Sequence, residues 1–253
     1  MTRAISTLIL ILALPTGAAA QDRCDVRRDV DRQIDAAELE GVLVDAAAGS
    51  LEVTGADVSH VRVRGVLCAS DQELAADARL ILERRRDAAW VEADLPEAGG
   101  WRGGYVRMDL VVEMPRALAA DVQDGSGSVT VEGIAGLRIE DGSGSLHVRD
   151  ITGGVIIDDG SGEIRVERVG AVELDDGSGE IEIVDVRGSV LITEDGSGSI
   201  DIRDVAGDVR IEDDGSGSIT VVGVGGDFIL EDDGSGSVHY RDIQGRVSVP
   251  DGG

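Results

Sequence analysis

Lysine is absent from this 253-residue chain, so all 23 of its basic side chains other than histidine are arginines. Against them stand 50 Asp and Glu, for a formal net charge of −27. A field of that sign repels phosphate backbones and anionic lipid surfaces. Nucleic acid and anionic membrane surfaces are therefore disfavoured as partners, while cations and basic surfaces are favoured. Aromatic residues make up 2% of the chain, too few for a carbohydrate cleft of the usual stacking kind. Three histidines, His60, His147 and His239, are too scattered to converge on a metal. No serine is paired with a histidine in a nucleophile–base pattern.

Long apolar runs are missing too, except at the start. Residues 1–20 read as a secretory signal: Arg3, then the apolar run Ile5–Pro15, then Ala18-Ala19-Ala20 before Gln21. The run is too short to span a bilayer, and no later segment is long enough. With no cysteine at the cleavage point a lipid anchor is not expected, and the reading is a soluble exported protein, periplasmic or at the cell surface. The two cysteines, Cys24 and Cys68, then fall in an oxidising compartment and are expected to form a disulfide rather than a metal or redox site.

What the chain has in abundance is one tetrapeptide. Asp-Gly-Ser-Gly begins at Asp124, Asp141, Asp159, Asp176, Asp195, Asp214 and Asp233, at steps of 17 to 19 residues. A period of that size marks a repeat architecture. Five columns of the aligned repeats are apolar; the second repeat supplies Leu146, Val148, Ile151, Val155 and Ile157. Within a pair of columns the spacing is two, the period of a half-buried strand, and Val and Ile dominate. A change of step at the third column and the small residue after it mark corners.

The fold class expected is all-β: a single-stranded parallel β-helix, or β-solenoid, with about seven regular 17–19-residue coils. Right-handed coiling is expected from the crossover rule for parallel strands. Stacked at roughly 4.8 Å, seven coils make a rod on the order of 30 Å long.

Residues 21–123 are less regular and are expected to cap the first coil, with 124–253 forming the repeat solenoid. Gly49–Val53 followed by Val61–Val63 resembles a degenerate coil. Ser70-Asp71-Gln72-Glu73 has capping-box spacing and opens a short helix. Leu80–Leu82 and Trp90–Ala93 read as a hairpin, and Met108–Glu113 as a strand stopped by Pro115. Tyr240 and Pro250 are expected to close the far end.

Three segments carry a family resemblance: Val63–Asp71, Asp94-Leu95-Pro96-Glu97 and Asp109–Pro115, followed in order by the Asp-Gly-Ser-Gly coils. Residues 21–253 resemble the bacterial β-strand-repeat family known as "putative adhesin". That resemblance implies an exported β-solenoid.

The turns admit two readings. Asp can bond its own backbone two residues on, glycine supplies positive φ, and Ser can bond the neighbouring coil; this is turn chemistry without a ligand. The Asp is also usually preceded by a second acid: Glu140, Asp158, Asp175, Glu194, Asp213 or Asp232. Stacking is expected to give two carboxylate ladders on one edge of the rod. Calcium, which takes carboxylate, carbonyl and water oxygens, could then be held by Asp141, Asp159, Asp176, Asp195, Asp214 and Asp233. No other cofactor is implied. A hydroxyl array for ice along Ser126, Ser143, Ser161, Ser178, Ser197, Ser216 and Ser235 is broken up by the flanking acids.

Coil length varies by only two residues, leaving no insertion to carry an active-site cleft. The function expected is a non-enzymatic, adhesin-like structural or interaction module of the cell envelope, its partner a protein or glycan. The alternative is a calcium-binding module.

Overall fold

A computed structural model describes residues 24–97 and 104–250; the expected signal segment lies outside them. The first part of the chain supplies β1 (Val26–Asp35), β2 (Gly41–Ala48), β3 (Leu51–Ala56), β4 (His60–Ala69), a helix α1 (Gln72–Asp77), β5 (Arg79–Arg85), β6 (Ala88–Asp94) and β7 (Val106–Pro115). A long strand β8 (Ala119–Glu132) leads into the repeats. These contribute β9 (Gly136–Asp141), β10 (Gly144–Arg149), β11 (Gly154–Asp159), β12 (Gly162–Val169), β13 (Ala171–Asp176), β14 (Gly179–Val186), β15 (Val190–Asp195) and β16 (Gly198–Val205). The last are β17 (Val209–Asp214), β18 (Gly217–Val224), β19 (Phe228–Asp233), β20 (Gly236–Ile243) and β21 (Val247–Ser248).

The repeats form a β-solenoid with two strands per coil. Even-numbered strands from β8 to β20 pair in parallel in one sheet, called A here. Odd-numbered strands from β9 to β21 do the same in sheet B, with the first half of β8 beside β9. Strand β8 bends from one sheet to the other, so it belongs to both. Like residues stack on like, as in Ile164 on Ile181 and Ile183 on Ile202.

Period two drives this arrangement. In β14 the side chains of Ile181 and Ile183 point inward and are fully buried, while Glu180 and Glu182 point out. The third column, from Ile134 to Val224, fills the corner between the sheets. Ahead of it, in every coil, sits a residue with φ between 54° and 73°: Gly133, Asp150, Arg168, Asp185, Asp204, Gly223 and Asp242. That left-handed residue turns the chain from sheet A toward sheet B.

The N-terminal region joins the same stack, but out of chain order. Strands β2 and β3 make a coil that lies against β8 in both sheets. Strands β6 and β7 lie on its far side, again in parallel. The chain therefore passes over one coil between β7 and β8. The degenerate coil runs through Gly49-Ser50 from β2 into β3 and does not include Val61–Val63. Those residues belong to β4, which runs antiparallel to β7 and carries antiparallel β1 on its outer edge. Strand β5 ends sheet B as the antiparallel partner of β6.

The helix is capped by Asp71 rather than Ser70. The Leu74 amide donates to Asp71 Oδ1 at 2.9 Å, whereas Ser70 Oγ accepts from the Tyr105 amide at 3.1 Å. Cys24 and Cys68 form a disulfide, with Cα atoms 5.2 Å apart, that ties the start of β1 to β4. Among the described residues no helix is long and apolar enough to cross a membrane.

Tyr240 does not close the C-terminal end. It is 47% exposed, and Val247 in the fourth column is 38% exposed. Inner coils bury the same columns almost completely, so among the described residues the apolar interior is open at that end.

Candidate functional site: an internal aspartate column

The Asp-Gly-Ser-Gly segments make the corner opposite the left-handed one, carrying the chain from sheet B to sheet A. Both glycines are dictated by the approach of neighbouring coils. A Cβ on Gly198, at φ 150°, would lie 1.5 Å from the Gly179 carbonyl oxygen. One on Gly196 would lie 2.3 Å from the Gly177 oxygen. Main-chain bonds fill that space. The Gly196 amide donates to the Asp176 carbonyl at 3.1 Å, and the Gly198 amide to the Ser216 carbonyl at 2.9 Å. Serine thus joins the neighbouring coil through its backbone carbonyl.

The aspartates point into the coil. In β13 the alternation Leu174 in, Asp175 out, Asp176 in carries the strand's period one step past its last apolar residue. Asp124, Asp141, Asp159, Asp176, Asp195 and Asp214 are each exposed by 6% or less; Asp233, in the last coil, is partly open. They stack in register from coil to coil. The preceding acids Glu140, Asp158, Asp175, Glu194, Asp213 and Asp232 are all exposed. The two ladders expected on one edge therefore lie on opposite faces of sheet B. The same strand period that buries Leu174 separates them.

Among the described residues no arginine is paired with the inner column. Both carboxylate oxygens of Asp124, Asp141, Asp159, Asp195 and Asp214 lack a hydrogen-bond partner, as does one oxygen each of Asp176 and Asp233. The Asx bond expected of the turn is formed in one coil, where the Ser178 amide donates to Asp176 Oδ1 at 3.2 Å. In the coil of Asp141 the Gly142 and Ser143 amides face the carboxylate and favour its charge, but outside hydrogen-bond geometry.

Burial dominates the electrostatics. Desolvation, then the neighbouring Asp141 charge, pushes Asp124 up to about 7. Desolvation, followed by Asp176 and Asp214, takes Asp195 up to about 7, and desolvation with Asp141 and Asp176 takes Asp159 up to about 6. Asp141, Asp176 and Asp214 are raised as well, each first by burial. An ionised carboxylate only accepts hydrogen bonds; a protonated one can donate to its neighbour. Protonation of alternate members is therefore what satisfies such a column, and Asp124 with Asp141 and Asp195 with Asp214 are the pairs placed to share a proton.

The six aspartates singled out for calcium thus share one internal column with Asp124. Among the described residues no group of three or more His, Cys, Asp and Glu is arranged to hold a metal ion. His147 and His239 are exposed on the outer face of sheet A, and His60 Nε2 lies 3.3 Å from Glu113. For Asp124, Asp141, Asp159 and Asp176 the sequence carried a signal, two-residue spacing from the last apolar column. Asp195, Asp214 and Asp233 lie three residues past Ile192, Ile211 and Leu230, and an irregularity in the pairing of β13 with β15 keeps them in the column.

The outer faces differ. Sheet A carries alternating charges that pair along and between coils: Arg165 with Glu167 at 2.6 Å and Glu182 at 2.5 Å, and Arg203 with Glu182 at 3.6 Å. Sheet B exposes its row of acids, relieved by Arg138 and Arg210. Links between successive strands from β9 to β20 are at most four residues long, so none of these links overhangs either face.

The molecule is an acidic two-sheet β-solenoid. No family model matches the sequence, and no curated protein matches it. Solved structures similar to it include a putative adhesin from Parabacteroides merdae, with 12% identity over 88% of this chain and 97% of the other and a TM-score of 0.39. A putative lipid binding protein from Parabacteroides distasonis has 13% identity over 87% and 97%, with a TM-score of 0.38. A putative cell adhesion protein from Clostridium sporogenes has 9% identity over 88% and 98%, with a TM-score of 0.33.

Proposed function

We propose that the protein is a non-enzymatic, exported interaction module that meets a protein or glycan partner at the cell envelope through the outer faces of its sheets. The observation that carries this reading is the exposed acid row on sheet B, Glu140 to Asp232, presented on a regular scaffold whose short links build no cleft. A regular row of like charge suits a basic or cationic partner surface, and the contact it makes is weakened by salt. The leader-like residues 1–20 support export.

The test is binding of the purified protein to the surface of the producing cells, compared with a variant carrying Glu140→Gln, Asp158→Asn, Asp175→Asn and Glu194→Gln. Retention that falls with added salt and falls again in the variant is the expected result. Equal retention by both proteins at every salt concentration refutes the acidic row as the contact.

A second reading keeps calcium in the inner column, on the ground that its carboxylate oxygens have no protein partner. Thermal melts in EDTA, millimolar calcium and millimolar magnesium decide it. A rise specific to calcium supports an ion held by the native state, and superimposable melts remove it.

A further inference from the structure

The two ends of the rod are built differently. At the N-terminal end the interior is closed: Val61, Val63 and Leu67 are fully buried. Sheet A ends there in β1, whose Arg27, Arg28, Asp29, Asp31 and Arg32 blunt the edge with charge. At the C-terminal end β20 pairs with β18 on one side and with no other strand among the described residues. Its inward side chains are Val238, half-buried, and Tyr240, exposed with its ring against Phe228 at 5.8 Å between centroids. Equivalent residues one coil back, Ile219 and Val221, are exposed by no more than 1%.

We propose that this end is a self-association surface, where two copies of the chain pair their β20 strands antiparallel about a twofold axis through His239. Backbone phase supports the pairing. The Gly198 and Gly217 amides each donate toward the following coil, and alternation along the strand then points the polar groups of Gly236, Val238 and Tyr240 at the open edge. Centred on His239, an antiparallel pair sets Val238 opposite Tyr240 twice, extending the apolar interior across the axis. On the outer face Ser237 meets Arg241 and His239 meets its own mate, so no two formally charged residues oppose each other. The neighbouring registers that keep apolar residues inward centre on Tyr240, stacking two rings in one place and setting His239 against Arg241, or on Val238, leaving each Tyr240 opposite Gly236.

A second copy suits this edge better than the other end of a neighbour. Head-to-tail contact would press Val238 and Tyr240 onto the charged β1 edge. The isologous contact matches apolar with apolar and closes after two subunits. Because the net charge is −27, the dimer is expected to strengthen as salt screens the repulsion.

Sedimentation of the exported chain in moderate salt should give twice the monomer mass. Val238→Arg should return the monomer with the circular dichroism spectrum of the parent, since the last coil alone is affected. His239→Cys should yield a disulfide-linked dimer under mild oxidation. Ser237→Cys and Arg241→Cys should do so only when combined in one chain. A protein that stays monomeric in high salt overturns the proposal. So does a dimer indifferent to Val238→Arg, or cross-linking that is equal at positions 237, 239 and 241.

Discussion

Asp195 on β15 and Asp214 on β17 are direct partners in the sheet, each at most 1% exposed, with no cation paired with either among the described residues. Two ionised carboxylates in that position would repel each other in a medium that screens poorly. One shared proton turns the repulsion into a hydrogen bond.

A reversed pH dependence follows. Asp195 and Asp124 are raised to about 7 and Asp159 to about 6, while in the unfolded chain each titrates near the ordinary aspartate value of about 4. Between those values the native state holds more protons than the unfolded one, so stability falls as pH rises. Stability should be greatest near the lower limit, decline from about pH 4 to about pH 7, and level off above. The loss is on the order of several kcal/mol summed over the column. Urea unfolding in EDTA across that range measures it; a midpoint that climbs with pH would contradict the buried column.

Asparagine at one member of a pair should remove the need for the proton. Asp195→Asn places an amide donor beside Asp214 while keeping the local turn bond available. At pH 8 the variant should be more stable than the parent by about 1–3 kcal/mol, the cost of an unsatisfied buried polar group. At pH 4.5, where the parent carries the proton, the difference should shrink toward zero. Denaturant midpoints at the two pH values give both numbers.

The coil was legible because apolar side chains at two-residue spacing can be counted, and the stacked columns from Ile134 to Leu230 follow that count. The inward aspartates as far as Asp176 obeyed the same arithmetic, since Asp176 lies two residues past Leu174, but their polarity points the other way until the strand period is allowed to override it. Asp195 lies three past Ile192, and the extra residue that turns it inward shows only in the strand pairing. What pattern could not supply was order in space. Nothing in Leu51–Ala56 says that this strand lies between β7 and β8, because the contacts deciding it join residues far apart in the chain. The capping error was smaller: Ser70 and Asp71 are both good caps, and the Tyr105 amide occupies the serine.

Glycine in the turns should divide sharply by position. In Gly198→Ala the added carbon meets the Gly179 carbonyl at 1.5 Å, and φ of 150° is closed to other residues. A loss above about 3 kcal/mol, or failure to fold, is expected, as for other strained backbone sites. Gly154→Ala meets nothing within 4 Å, and should be neutral or gain up to about 1 kcal/mol by restricting the unfolded chain. Circular dichroism melts of the two variants side by side make the comparison.

The opposite corner offers a gain. Asp204 holds φ at 56°, where Gly133 and Gly223 hold the same corner in other coils. A side chain in that region costs about 1 kcal/mol, less for aspartate than for most residues because its short polar group can bond locally. Asp204→Gly removes the strain and one negative charge from an acidic rod, and is expected to raise stability by up to about 1 kcal/mol. Asp204→Ala removes the same charge but keeps a Cβ at positive φ, so it should lie below the glycine variant by about 1 kcal/mol or more. Charge is thereby held constant between the two substitutions. Equal melting temperatures for them would mean that the corner carries no backbone strain and that repulsion alone sets the effect.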